Sequence, residues 1–215
     1  MDLNEWIQRC PIVAILRGIK SEEAESICAA LEKAGIVIVE VPLNSPDALS
    51  SISILSRVFG NRLLIGAGTL TDPKQVREVA AAGGRLIVTP HADTAIVRAA
   101  KAAGMFAIPG FFNPTEAFAL LQAGADALKL FPSEVLGIPM LKALQAVFPA
   151  NTIIIPVGGV DAGNIAHWMT AGALGVGIGS AIYKPNDSAS VVEVKAKALV
   201  DAAYVYQLST QVGKL

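Results

Sequence analysis

The stretch Ala103-Gly104-Met105-Phe106-Ala107-Ile108-Pro109-Gly110-Phe111-Phe112-Asn113-Pro114 holds one full repeat of this chain. An Ala-Gly pair closes a helix, a short apolar run follows, and Asn-Pro opens the next helix. Glycine after a helix takes the left-handed conformation that other residues resist. Asparagine caps the following helix and proline fits its first position. The closing pair recurs at Ala34-Gly35, Ala82-Gly83, Ala123-Gly124 and Ala171-Gly172. Together with turn signals at Gly60-Asn61 and Pro149-Ala150-Asn151, these divide the chain from Gly35 to Gly172 into six intervals of about 23 residues, the size of one compact βα unit. Helix starts keep step. Ser45-Pro46 and Asp72-Pro73 repeat the cap-and-proline pair, and Ser21 and Asp161 offer plain caps.

Between these signals lie eight short apolar runs: residues 12–16, 36–41, 63–65, 86–88, 106–108, 127–130, 153–157 and 174–178. They do not alternate polar with apolar, which is the pattern of parallel strands buried on both faces. Aromatic residues are only 6% of the chain, so small branched side chains must fill the core. Eight βα units predict a (β/α)8 TIM barrel, a single domain over residues 1–215. A short N-terminal helix over Leu3–Arg9 would close its floor, and residues 188–208 would form the last outer helix. A doubly wound open sheet would need a glycine-rich phosphate turn after the first strand. Arg17-Gly18-Ile19 stands there instead.

Composition narrows the function classes. The 215 residues are 53% hydrophobic, which excludes disorder, and the 17 Lys+Arg against 18 Asp+Glu give a formal net charge of -1. No run of like charge is available for nucleic acid or an anionic membrane. The apolar runs fall far short of the ~20 residues that cross a bilayer. Met1-Asp2-Leu3-Asn4-Glu5 carries acid where a signal peptide carries basic charge, so a cytoplasmic location is expected. Cys10 and Cys28, with no C-x-x-C spacing, read as reduced, buried thiols.

In a barrel of this type the chemistry sits where the strands end, so the polar residues there carry the functional reading. Lys129 interrupts Ala127-Leu128-Lys129-Leu130-Phe131, and Glu40 interrupts Ile36-Val37-Ile38-Val39-Glu40-Val41. Burial disfavours the charged lysine, the condition for an amine that attacks a carbonyl and forms a Schiff base. A nearby carboxylate can then relay protons. The alternative is an ion pair that merely neutralises the interior, replaceable by apolar residues without harm. Gly158-Gly159 and Gly179-Ser180 follow the seventh and eighth strands, where exposed backbone amides bind phosphate. Simple tight turns are the bland reading of the same residues. Arg17 is a candidate for a substrate carboxylate or for a rim salt bridge. Thr69 is a candidate for a substrate hydrogen bond or a helix cap. Thr89 and His91 follow the fourth strand, with His91 read as a rim residue. His91 and His167 are the only histidines, and no metal-ligand cluster is visible, so no metal is expected.

The chain resembles the bacterial 2-keto-3-deoxy-6-phosphogluconate / 6-phosphogalactonate aldolases, the small class I aldolases. The resemblance rests on Ala14-Ile15-Leu16-Arg17-Gly18, Val39-Glu40-Val41-Pro42-Leu43-Asn44-Ser45-Pro46, Ile65-Gly66-Ala67-Gly68-Thr69, Leu86-Ile87-Val88-Thr89-Pro90, Leu128-Lys129-Leu130-Phe131-Pro132 and Val157-Gly158-Gly159-Val160. It implies a trimeric barrel that, without a cofactor, cleaves a 2-keto-3-deoxy-6-phospho-aldonate to pyruvate and D-glyceraldehyde 3-phosphate. It further implies Lys129 as the Schiff-base lysine and Glu40 as the proton-transfer carboxylate. Arg17 and Thr69 fall at the pyruvyl end, and Gly158, Gly159, Gly179 and Ser180 at the phosphate. The phosphogluconate branch usually has arginine four positions after the glutamate. Asn44 occupies that position here, as in the phosphogalactonate branch. A phosphosugar epimerase, a thiamine-phosphate-synthase-like barrel or a non-catalytic phosphosugar-binding protein would share the glycine pairs.

Overall fold

Strands made mostly of Val, Ile, Leu and Ala cannot face water on either side, and the chain answers with parallel pairing between layers of helix. The computed structural model describes the backbone of residues 1–212 and the side chains of residues 1–204. The helix α1 (Leu3–Arg9) comes first and is held by a capping box between Asp2 and Glu5. Then follow β1 (Ile12–Ile15), α2 (Ser21–Lys33), β2 (Ile38–Pro42), α3 (Ala48–Phe59), β3 (Leu64–Gly68), α4 (Lys74–Ala81), β4 (Leu86–Val88), α5 (Thr94–Ala102) and β5 (Phe106–Ile108). The second half continues with β6 (Gly110–Phe111), α6 (Pro114–Gln122), β7 (Leu128–Leu130), α7 (Ser133–Gln145), β8 (Ile154–Pro156), α8 (Ile165–Thr170), β9 (Val176–Ile178) and α9 (Ala189–Val212).

All pairings between these strands are parallel. Six strands run in the order β5-β4-β3-β2-β1-β9 and three in the order β6-β7-β8. The result is an α/β fold with a curled parallel sheet. A bridge from Val157 to Gly177 links the end of β8 to β9. On the other side, the Lys129 N–H donates to the Pro109 carbonyl at 2.9 Å and the Asp126 N–H to the Ala107 carbonyl at 3.0 Å.

The expected strands are all present, with shifted ends. The run at residues 36–41 pairs as Ile38–Pro42, and that at residues 63–65 as Leu64–Gly68, because register with the neighbouring strand rather than hydrophobicity sets where pairing begins. An additional two-residue strand, β6, was not legible. Pro109 has no N–H to donate and separates it from β5. Among the caps, the Asn113 side chain accepts from the Glu116 N–H with Pro114 beginning α6, as the sequence predicts. Ser45 is a correction. The helix after it starts at Ala48, and the Ser45 hydroxyl instead accepts the Gly18 N–H at 2.9 Å, tying the ends of β1 and β2 together.

One continuous cluster of buried apolar side chains runs from Leu3 to Ala203. Cys10 and Cys28 are free and buried within it, and burial pushes their thiols up to about 11 and about 12. Residues 213–215, part of the expected domain, lie outside the described residues. No helix of the described residues is long and apolar enough to cross a membrane.

Gly66 shows how tightly the sheet is drawn. A Cβ there would run into the Leu86 carbonyl oxygen and stand 2.7 Å from its carbon, both backbone atoms of the neighbouring strand. Gly66→Ala should therefore destabilise the protein by about 3 kcal/mol through overpacking, read as a lowered urea midpoint. An unchanged midpoint would mean that β3 and β4 can part more easily than their contact implies.

Candidate active site

The parallel sheet places two ionisable side chains in its interior. Glu40 lies mid-way along β2, paired in register with Ile15 on one side and Gly66 on the other, and is 2% exposed. Lys129 lies in β7 between Gly110 and Ile155 and is 4% exposed. Space for the carboxylate exists because residue 68 is glycine. Any Cβ there would overlap the Glu40 carboxyl group. The Glu40 Oε2 atom is buried without a hydrogen-bond partner. The Lys129 ammonium sits 4.8 Å from the centre of the Phe131 ring.

Desolvation dominates both groups. It raises the Glu40 carboxyl against the opposing pull of Lys129 and Arg17. It lowers the Lys129 ammonium, with Glu40 acting against that shift and Arg17 adding to it. Each group thus feels the other and both are driven toward their neutral forms. A neutral amine beside a protonatable carboxyl is equipped for nucleophilic attack and proton relay.

Arg17, just past β1, reaches across the strand ends. Its guanidinium donates to the Asn44 side-chain oxygen at 2.7 Å and to the Thr69 hydroxyl at 3.5 Å. Three strand ends converge there, and Thr69 holds a left-handed φ of 61°, unusual for a β-branched residue. Among the described residues, neither the rim salt bridge considered for Arg17 nor the helix cap considered for Thr69 is formed.

Arg17 also lines a cavity of about 470 Å³ whose wall includes Gly158, Gly159, Gly179 and Ser180. The glycine turn is anchored by its carbonyls. Gly158 accepts from the Ser133 hydroxyl at 2.6 Å, and Gly159 from the Asn164 amide at 2.7 Å. The N–H groups of Gly159 and Ser180 have no acceptor among the described residues. Gly158 and Gly159 hold positive φ of 113° and 65°, and a Cβ at either would press on Glu134, so both positions favour glycine. Amides without a protein acceptor, facing an open cavity, are a ready anion site.

The cavity does not reach Glu40, Lys129 or Thr69, which lie off its wall; Arg17 is the residue common to both groups. Thr89 serves the scaffold. Its hydroxyl donates to the His91 carbonyl at 2.6 Å and accepts from the Gly110 N–H at 3.1 Å, fastening β4 to β6. The His91 side chain is exposed. Among the described residues, no group of three His, Cys, Asp or Glu is placed to hold a metal ion. Sequence reasoning missed Lys184 and Glu134, both on the cavity wall. Neither interrupts an apolar run, so no local pattern sets them apart.

The family described as "Aldolase: KDPG and KHG aldolase" matches residues 3–196. The chain belongs to the KDPG and KHG aldolase family. It is 43% identical over 198 residues to the 2-dehydro-3-deoxy-6-phosphogalactonate aldolase of Escherichia coli strain K12, covering 92% of this chain and 97% of that one. It is 45% identical over 194 residues to a probable enzyme of the same name from Rhizobium meliloti strain 1021, covering 90% and 91%. A solved structure described as native KDPGal superposes with a TM-score of 0.92 at 42% identity, covering 93% of this chain and 97% of that one.

In this aldolase-family chain the buried pair weighs against stability. At neutral pH the unfolded chain carries both charges freely, so burial of either charged form opposes folding and their mutual attraction returns only part. The double variant Glu40→Gln with Lys129→Met should fold with a melting temperature equal to or above that of the parent. A large fall in melting temperature would identify the pair as structural.

Proposed function

We propose that this chain is a class I aldolase that reversibly cleaves 2-dehydro-3-deoxy-6-phosphogalactonate to pyruvate and D-glyceraldehyde 3-phosphate. The observation that carries this reading is the desolvated pair Lys129 and Glu40, each in the field of the other, with Arg17 joining them to an amide-lined cavity at the ends of β1, β8 and β9. In the proposed sequence, neutral Lys129 attacks the C2 ketone. Glu40 moves the protons that turn the carbinolamine into an iminium ion and water. Loss of the C4 hydroxyl proton and cleavage of the C3–C4 bond deliver the bonding electrons to the iminium, which becomes an enamine as the aldehyde leaves. Protonation at C3 and hydrolysis release pyruvate and restore the amine. No cofactor enters this scheme.

Arg17 and Thr69 are assigned to the pyruvyl carboxylate end. The phosphate is assigned to the amides of Gly158, Gly159, Gly179 and Ser180. Asn44 supports the galactonate epimer. It touches Arg17, so position 44 lies within the site, and its side-chain NH₂ has no acceptor among the described residues. Such a donor, in place of the guanidinium usual in the gluconate branch, can read the C4 configuration.

We further propose that the two sheets close into one eight-stranded barrel, with β5 and β6 as a single strand broken at Pro109. The Val157–Gly177 bridge and the Lys129 to Pro109 hydrogen bond favour closure. A single domain fits the continuous core. A homotrimer, carried over from the family resemblance, would cover apolar surface such as Phe112 and Val135, which are 48% and 69% exposed. Free buried thiols fit a reducing, cytoplasmic setting.

Pyruvate with sodium borohydride should inactivate the protein and add one reduced pyruvyl group at Lys129, located by peptide mass spectrometry. Labelling elsewhere, or none, removes the Schiff-base assignment. Glu40→Gln should lower turnover by roughly 10²-fold, with slower exchange of pyruvate methyl protons into deuterated water. The galactonate epimer should show the higher kcat/KM. A clear preference for the gluconate epimer refutes the reading of Asn44.

A further inference from the structure

Lys184 stands on the wall of the 470 Å³ cavity with Gly158, Gly159, Gly179 and Ser180, yet the scheme above gives it no part. The segment that carries it is fixed at three consecutive points. On one side Tyr183 is 2% exposed and its hydroxyl donates to Glu23 on α2 at 2.7 Å. On the other, Pro185 packs against Gly18, where an added Cβ would stand 2.8 Å from the proline ring. The Lys184 N–H itself donates to the Asp187 carboxylate at 2.8 Å. That carboxylate is already held by Lys195 at 2.6 Å, and no ion pair joins it to the Lys184 side chain. The ammonium is thus mounted on a fixed stretch of backbone, and the carboxylate that holds this backbone is already paired with Lys195.

Charge on the cavity wall gives the lysine a task. Glu134 and Asp161 bring two carboxylates, and Arg17 is turned toward Asn44 and Thr69. A dianion resting on neutral amides beside two carboxylates would be repelled without a cation close by. We propose that Lys184 is a phosphate-recognition residue, pairing with the phosphoryl group of the substrate and setting the preference for phosphorylated over unphosphorylated ligands. This rests on the aldolase reading for the identity of the substrate but not for the binding of the anion. The lysine lies away from Lys129 and Glu40, so it acts on binding rather than on the bond that breaks.

The test is calorimetric titration with inorganic phosphate, alongside steady-state kinetics on the phosphorylated substrate. Lys184→Met should weaken phosphate binding by about 10-fold and raise KM by a similar factor, with kcat nearly unchanged, as for loss of one charge-assisted hydrogen bond. Lys184→Arg should restore most of the affinity. Lys197→Met, at a lysine paired with Asp201 on the outer helix, should leave phosphate binding as it is. Pyruvate trapping at Lys129 should proceed equally in parent and Lys184→Met. If trapping fails in both, the aldolase reading fails and the phosphate titration still decides the role of Lys184. Equal phosphate affinity in parent and Lys184→Met overturns the proposal, as does an absence of saturable phosphate binding to the parent.

Discussion

Two opposite charges held inside a parallel sheet are the constraint around which the rest of this molecule is arranged. The sheet is dry because its strands are mostly Val, Ile, Leu and Ala and both faces are covered. A charged side chain in such a place is costly unless it is neutralised or paired. Glu40 and Lys129 are accommodated in several ways at once. Gly68 gives up its side chain to make room for the carboxyl group, Phe131 lays its ring beside the ammonium, and each charge lies in the field of the other. None of these restores the full hydration of either group. On the proposed aldolase chemistry, that residual drive toward neutrality is what would make the amine nucleophilic, so the burial that weighs on stability would also supply the reactivity.

A second region works on the opposite principle. The cavity at Gly158, Gly159, Gly179 and Ser180 is open, and beside its charged side chains it carries backbone amides of Gly159 and Ser180 that have no acceptor among the described residues. Here nothing is forced to change protonation state, because amides are neutral donors at any pH and attract an anion by their dipoles. Anchoring falls to the carbonyls, which Ser133 and Asn164 hold from behind. Arg17 bridges the two regions. It borders the open cavity while its charge reaches both buried groups.

What the sequence made legible follows from how local each cause was. The Ala-Gly and Asn-Pro punctuation marks single turns, and the repeat emerged from it, as the Asn113 cap shows. Lys129 and Glu40 were legible because a charge inside an apolar run is anomalous whatever its neighbours are. The strand β6 was not, since two residues after a proline carry no periodicity and gain their pairing only from β7. The Ser45 misreading has the same root. A serine before proline suits a helix cap, but a longer-range bond to Gly18 won, and nothing near Ser45 in the sequence announces that. Lys184 is exposed and sits among turn residues, so only the folded cavity distinguishes it from other surface lysines.

On the proposed reading, position 44 would join specificity to reactivity in a way neither region shows alone. Asn44 follows Glu40 by four residues, outside the buried strand, and its oxygen is held by Arg17. The charge on Arg17 already lowers both the Glu40 carboxyl and the Lys129 ammonium. An arginine at position 44 would set a second guanidinium beside the first and extend the same field toward the same two groups, favouring ionised Glu40 and neutral Lys129 further. It would also lose the neutral acceptor that now holds Arg17 in place. A change at this rim position therefore alters more than the contacts to a substrate hydroxyl. It would also shift the proton balance of the buried pair and leave Arg17 with Thr69 as its remaining side-chain acceptor among the described residues.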